Sequence, residues 1–195
     1  MGGGRRYRAT VAARPGDGPV SVKTGLIADT QGSFDVQALL QHVASEFAGV
    51  DEIWHAGDWG SDAVLAGLRK LGPLVVINGN APDDPRYPAT MERMVGGRRV
   101  GMIHHLDARH QAWARGFDVV IHAHTHRWRD EIVGGTRFIN PGTATRPQFG
   151  GTERTIARLT FDDELMVEKL MVPKFPIPTV RRGGGSGPEV DMISP

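Results

Sequence analysis

The sequence predicts a layered α/β fold. The first half alternates short apolar runs with helix-length amphipathic segments, and the last third turns to paired strands around short turns. Several apolar runs also end in carboxylate, amide or imidazole residues. Strand carboxyl ends are where open α/β sheets place their sites.

The elements follow in order. Residues 1–21 carry Gly2-Gly3-Gly4 and Pro15-Gly16-Asp17-Gly18-Pro19, so they read as an arm, with a short edge strand at 8–14. A strand is expected over 22–28, then a helix over 34–46 capped by Ser33. A strand over 52–56 leads to a helix over 63–70, with Ser61 or Asp62 before it and Gly72-Pro73 ending it. A strand at 74–77 runs into a long irregular loop over 80–88. A strand at 98–103, a helical segment at 108–115 capped by Asp107, and a strand at 119–122 come next. Two hairpins close the domain, 127–133 with 136–140 and 155–161 with 164–172. Residues 173–195 hold five prolines and Gly183-Gly184-Gly185, and read as a tail or a surface strap. The expected division is therefore an arm (1–21), one domain (22–172) and a tail (173–195).

Composition narrows the function. A chain of 195 residues supports one sizeable core. A net charge of +1 gives no global attraction to a long polyanion, so nucleic acid is not the expected partner. No long apolar run suggests a membrane span, and the N-terminal arginines precede no apolar signal segment. With no cysteine, disulfides and thiolate chemistry are excluded. The expected location is the cytoplasm. Metal ligands must then be oxygen and nitrogen.

Six of the eight histidines fall within residues 104–126, and three form the run His122-Ala123-His124-Thr125-His126. Asp29, Asp58 and Asn80 end other apolar runs. Such donors suit first-row divalent ions. Two ions can clamp the attacking and leaving oxygens of a phosphoryl group, provided that a carboxylate bridges them. Asp58, in a tight Gly-Asp-Trp-Gly turn, is placed to bridge.

The ordered set Asp29-Thr30-Gln31, Gly57-Asp58, Gly79-Asn80, His104, His124-Thr125-His126 and Asn140-Pro141-Gly142 resembles the calcineurin-like metallophosphoesterases, in particular their small bacterial and archaeal phosphodiesterase branch. The resemblance spans residues 22–172. It implies a four-layer α/β/β/α sandwich with two divalent ions, manganese first, with iron, zinc or nickel as alternatives. It implies Asp29, Gln31, Asp58 and His126 around the first ion, and Asp58, Asn80, His104 and His124 around the second. The implied reaction is hydrolysis of a small phosphate ester, a diester before a monoester, by a hydroxide between the ions. Asp58 and Asn80 are thereby implied in catalysis, and Asn80 also in substrate binding.

The sequence departs from that pattern in places. The family's first motif is Asp-x-His, and this chain has Gln31, a weaker donor than imidazole. His105 adds an imidazole after His104. The asparagine motif is followed by Ala81-Pro82-Asp83-Asp84 rather than by the histidine that protonates a leaving group, which leaves His105 as the candidate acid and favours activated diesters. Arg146-Pro147 stands where Pro-Arg is usual, so Arg146 is the candidate phosphate-facing cation.

The remaining residues receive structural readings. His42 and His110 are assigned to solvated helix faces, and His55 and His122 to strands beside the site. Trp54, Trp113 and Phe117 are assigned to packing, whereas Trp59 and Trp128 either pack or meet substrate. Asp83-Asp84 is a turn feature, and Arg5, Arg6, Arg8, Arg181 and Arg182 solvate the ends. The alternative function is a binding or scaffold protein with weakened chemistry, as in the retromer scaffold subunit of this fold. Gln31 favours that alternative; the retained donor set favours the enzyme. A homo-oligomer is left open.

Overall fold

The computed structural model describes residues 21–32, 34–80 and 84–176. Strands β1 (Val22–Ile27), β2 (Glu52–His55) and β3 (Leu74–Val76) pair in parallel, joined by helices α1 (Val36–Glu46) and α2 (Asp62–Leu71). The chain then makes β4 (Thr90–Val95), β5 (Arg98–Ile103), a 3-10 turn (Ala108–His110) running into α3 (Gln111–Ala114), and β6 (Val119–Ile121). It finishes with β7 (Trp128–Val133), β8 (Thr136–Pro141), β9 (Thr155–Phe161) and β10 (Leu165–Met171). Two five-stranded sheets result, ordered β10-β9-β1-β2-β3 and β4-β5-β6-β8-β7.

Side-chain alternation builds the layers. Leu26 and Ala28 of the first sheet face the second, where Met102, Val119, Ile121 and Ile139 meet them. Ile27 and Ile53 point the other way, onto Leu39, Val43, Val64 and Leu68 of the first two helices. Val120 turns outward onto Ala114 and Phe117 around α3. This is the four-layer α/β/β/α sandwich. It brings the carboxyl ends of β1, β2, β3, β5 and β6 to one rim.

Several local expectations change. The cap of α1 is Asp35, whose side chain accepts from the Gln37 and Ala38 nitrogens; Ser33 lies outside the described residues. Strand β4 was not expected. Its central Glu92 and Arg93 break the alternation, yet both find partners: Trp113 Nε1 donates to Glu92 at 3.0 Å, and Arg93 pairs through one nitrogen with Glu52 at 2.9 Å. Part of the assigned tail packs: Asp35 N donates to Pro176 O, and Phe175 lies against the helix-side core. His42 and His110 are only half-exposed. His42 Nε2 meets Met171 O at 3.1 Å, and His110 completes a capping box with Asp107. Trp128 packs against the inter-sheet core, with Lys169 Nζ 5.7 Å over its ring, so the packing reading holds for it. Trp59 stands edge-on to Tyr87. The expected strand at 8–14, the arginines of both ends, Ala81-Pro82-Asp83 and the glycine-rich tail lie outside the described residues. No helix of the described residues is long and apolar enough to cross a membrane.

Candidate metal centre

The rim loops are tied to one another before any ligand is considered. Asp29 N donates to Gly57 O, and Thr30 N to Asp58 O, which zips the loops after β1 and β2 together. Thr143 Oγ1 donates to Asp29 O at 2.8 Å, and Thr145 Oγ1 to Gln31 O at 2.7 Å. Buried Asn140 donates to Ala123 O and Thr125 Oγ1, both at 3.1 Å, and bears on the histidine loop. The Asn140-Pro141-Gly142 motif thus buttresses the rim. Asn140→Ala should weaken metal binding about ten- to hundredfold, the usual effect of removing support behind a ligand. Calorimetric titration of the folded variant checks this, and unchanged affinity would remove Asn140 from that role.

Four residues at the rim hold left-handed backbone: Asp29 (φ 51°), Asp58 (56°), His124 (69°) and His126 (55°). Such conformations cost energy in non-glycine residues and concentrate where geometry serves function. Here they turn the side chains towards a common centre. Asp29, Asp58 and His104 bring ligand atoms within 4.8 Å of one another. His126 Nε2 lies 3.4 Å from Asp29 Oδ1, and Gln31 Nε2 lies 3.3 Å from His126 Nε2 and 3.5 Å from Asp58 Oδ2. The same Oδ2 of Asp58 lies 3.3 Å from His104 Nε2 and 3.1 Å from Asn80 Nδ2, and Asn80 Nδ2 is 2.7 Å from His124 Nδ1. Asp58 thus lies among all of these side chains, and His104 Nε2 is also 3.8 Å from Asp29 Oδ1.

The donor set fits divalent cations. Asp29 is 0% exposed, and its Oδ1, Gln31 Oε1 and His104 Nε2 are buried without a hydrogen-bond partner among the described residues. A buried carboxylate needs positive charge beside it. His104 Nδ1 donates to Ala56 O at 2.7 Å, and His126 Nδ1 to Arg146 O at 2.6 Å. Both rings are thereby fixed with Nε2 towards the carboxylates, the arrangement that orients a ligating imidazole. Burial opposes a charge on His104 and His126, but the neighbouring carboxylates outweigh it and raise both above the ordinary histidine value. The same place attracts a proton or a cation, so cation binding there would release protons.

His55 does different work. Thr30 Oγ1 donates to Trp59 O and so accepts from His55 Nε2, while Gly57 N donates to His55 Nδ1. Burial and the nearby His104 lower its pKa to about 3. A neutral His55 therefore fixes the turn that carries Asp58.

The calcineurin-like phosphoesterase superfamily domain matches residues 22–164. The chain belongs to this superfamily. Its members depend on two metal ions. A probable metallophosphoesterase of the archaeon Methanothermobacter thermautotrophicus is 26% identical over 163 residues, 78% of this chain and 94% of that protein. Among solved structures, an archaeal phosphodiesterase superposes with a TM-score of 0.60 at 21% identity, covering 76% of this chain and 100% of that one. A single mutant of Vps29 from Entamoeba histolytica gives 0.64 at 20% identity, covering 78% and 100%. These two share the fold.

Within this superfamily fold, the remaining site residues are placed as follows. His105 is exposed, with its ring centroid 4.1 Å from that of His124, so it stands at the mouth of the centre. Arg146 is exposed as well, and its backbone carbonyl is what reaches His126. Sequence reasoning missed the Thr143 and Thr145 supports and Phe149, whose ring lies 6.1 Å from both His124 and His126. The signal for Phe149 is the following Gly150-Gly151, which marks a tight turn beside the histidine run.

Proposed function

We propose that this chain is a dimetal phosphodiesterase acting on small or activated phosphate esters. The observation that carries the reading is the cluster of Asp29, Asp58 and His104 ligand atoms, with the Asp29 oxygen and the His104 nitrogen buried and unpartnered. Asp29, Gln31, Asp58 and His126 would hold one ion, and Asp58, Asn80, His104 and His124 the other. Such ions supply charge that neutralises a phosphoryl group and lower the pKa of water. Manganese is the first choice, with iron, zinc or nickel as alternatives, since an oxygen- and nitrogen-only set accepts any of them. The reading also takes the chain to work in the cytoplasm.

The chain's own residues orient and protonate. The Asn80 amide reaches from Asp58 to His124 and is exposed to an entering phosphate. His105, free at the mouth, is the group to hand a proton to the leaving oxygen. Arg146, exposed and joined to His126 through its backbone carbonyl, would supply a cation for the phosphate. The residue directly after Asn80 is Ala81 and not a histidine, so a poor leaving alkoxide would depend on His105.

The test is metal content after mild purification, with turnover of diesters and monoesters on the same sample. About two ions per chain are expected. Nitrophenyl diesters should outpace alkyl monoesters, with a steep dependence on leaving-group pKa. His105→Ala should cost about tenfold or more on poor leaving groups and less on nitrophenolate, as for a general acid. A metal-free, inactive preparation that stays inactive on reconstitution would overturn the reading. A flat leaving-group dependence would remove His105 from the acid role.

A further inference from the structure

We infer that Phe149 is an aromatic platform for the second ester arm of the substrate, so that the centre selects phosphodiesters carrying a planar ring. The inference rests on the phosphodiesterase reading and names its substrate class.

Backbone conformation singles the residue out. Among the described residues, five non-glycine residues have positive φ. Four are proposed metal-holding residues; the fifth is Phe149, at φ 51°. Aspartate and histidine tolerate that region, whereas a bulky aromatic there is an outlier that points to function. The side chain is 59% exposed, so burial in a core does not explain the strain. Its ring instead stands 6.1 Å from the rings of His124 and His126. The loop is tied to the histidine run where Arg146 O accepts from His126 Nδ1, and Gly151 N donates to Gln148 O at 2.8 Å, closing the turn that carries Phe149. An apolar face is thus held beside the centre, in contact with water.

The other flank carries a receptor of its own. A cleft of about 440 Å³ borders Asn80, His104 and His105 and extends past Glu92, Arg109 and Trp113. A phosphate monoester has one organic arm and needs one receptor. A diester has two. The cleft on the Asn80–His105 side and the ring on the His124–His126 side match that count. Stacking of a planar group on an exposed aromatic accepts any base or aryl ring. Nucleobase and aryl arms therefore share one chemistry here, and separate substrates distinguish them.

Three nitrophenyl diesters, with methyl, phenyl or 5′-thymidyl as the second arm, would be compared on the metal-loaded protein. The wild type should prefer the phenyl or thymidyl arm over methyl. Phe149→Ala should lower that kcat/KM ratio about tenfold, the equivalent of one stacked ring, and Phe149→Trp should preserve it. A ratio changed only for thymidyl identifies a nucleobase; one changed for both identifies any planar ring. Phe149→Gly should lose the same selectivity while its melting temperature rises, because glycine adopts φ 51° freely. A purely structural phenylalanine would give a lower melting temperature instead. Binding is read separately on chelator-treated Phe149→Trp, whose fluorescence adenosine monophosphate should quench beyond any quenching in wild type. If no ester turns over, the phosphodiesterase reading fails and this fluorescence decides the platform by itself. No extra quenching, or an unchanged selectivity ratio in Phe149→Ala, overturns the assignment.

Discussion

Asp58→Asn is expected to lose bound metal and to cut turnover by about a thousandfold or more, the equivalent of several kcal/mol of transition-state stabilisation. Every contact of this side chain explains why. Oδ1 accepts from the Asn80 backbone nitrogen at 2.8 Å, and Oδ2 faces Asn80 Nδ2, Gln31 Nε2 and His104 Nε2. Burial pushes the carboxyl up, but the adjacent His104 and the Asn80 hydrogen bonds prevail and bring it down to about 2. Asp58 is thus an anion throughout the working pH range, and in the proposed site it is the residue that both ions would share. Asparagine keeps the shape but removes the charge. It also turns an NH2 group towards the Asn80 and Gln31 amides, which are already donors and repel it. The buried Asp29 would remain as the single carboxylate against two dications. Metal analysis of the purified variant beside its turnover decides the matter. Two retained ions with a rate within tenfold of wild type would show that Asp58 is not the shared ligand.

The sequence carried the strand ends well because each signal there is local. An apolar run followed within three residues by Asp29, Asp58, Asn80 or His104 is readable without knowing which strands neighbour one another. The layering was also legible, since Leu26 and Ile27 must face opposite ways. Long-range polar satisfaction was not. Strand β4 hides its alternation behind Glu92 and Arg93, whose partners Trp113 and Glu52 lie 21 and 41 residues away. Thr143 and Thr145 support Asp29 and Gln31 across more than 110 residues, which no periodicity reports. The α1 cap fell to Asp35, two residues past the expected serine, because the helix begins at Val36 and its first free amides are within reach of that carboxylate. Phe149 was invisible for a different reason. A phenylalanine in a polar loop reads as packing until the backbone shows that it is strained and exposed.

Gln31→His should tighten metal binding at the set containing Asp29, Asp58 and His126 by about a hundredfold, within the span over which a single ligand's support alters affinity. Gln31 already points inward. Its Nε2 lies 3.3 Å from His126 Nε2, its Oε1 is buried without a partner, and Thr145 holds its backbone carbonyl. The wild-type carboxamide can offer one neutral oxygen, and only after turning from its present contacts. An imidazole offers a stronger nitrogen donor of the kind His126 supplies beside it. In the wild type, the Gln31 set should therefore release its ion first under a mild chelator, and activity should fall in step. In the variant the two sites should approach each other in affinity, and turnover at limiting metal should rise. Stepwise chelation followed by metal analysis reads both effects. The outcome also separates the enzyme from a binding protein with weakened chemistry. A variant that gains an ion together with turnover places the weakness at residue 31 alone. A variant that gains the ion without turnover means that the chemistry has been lost elsewhere in the centre. Two equal, tight sites in the wild type would show instead that the glutamine does not limit the metal at all.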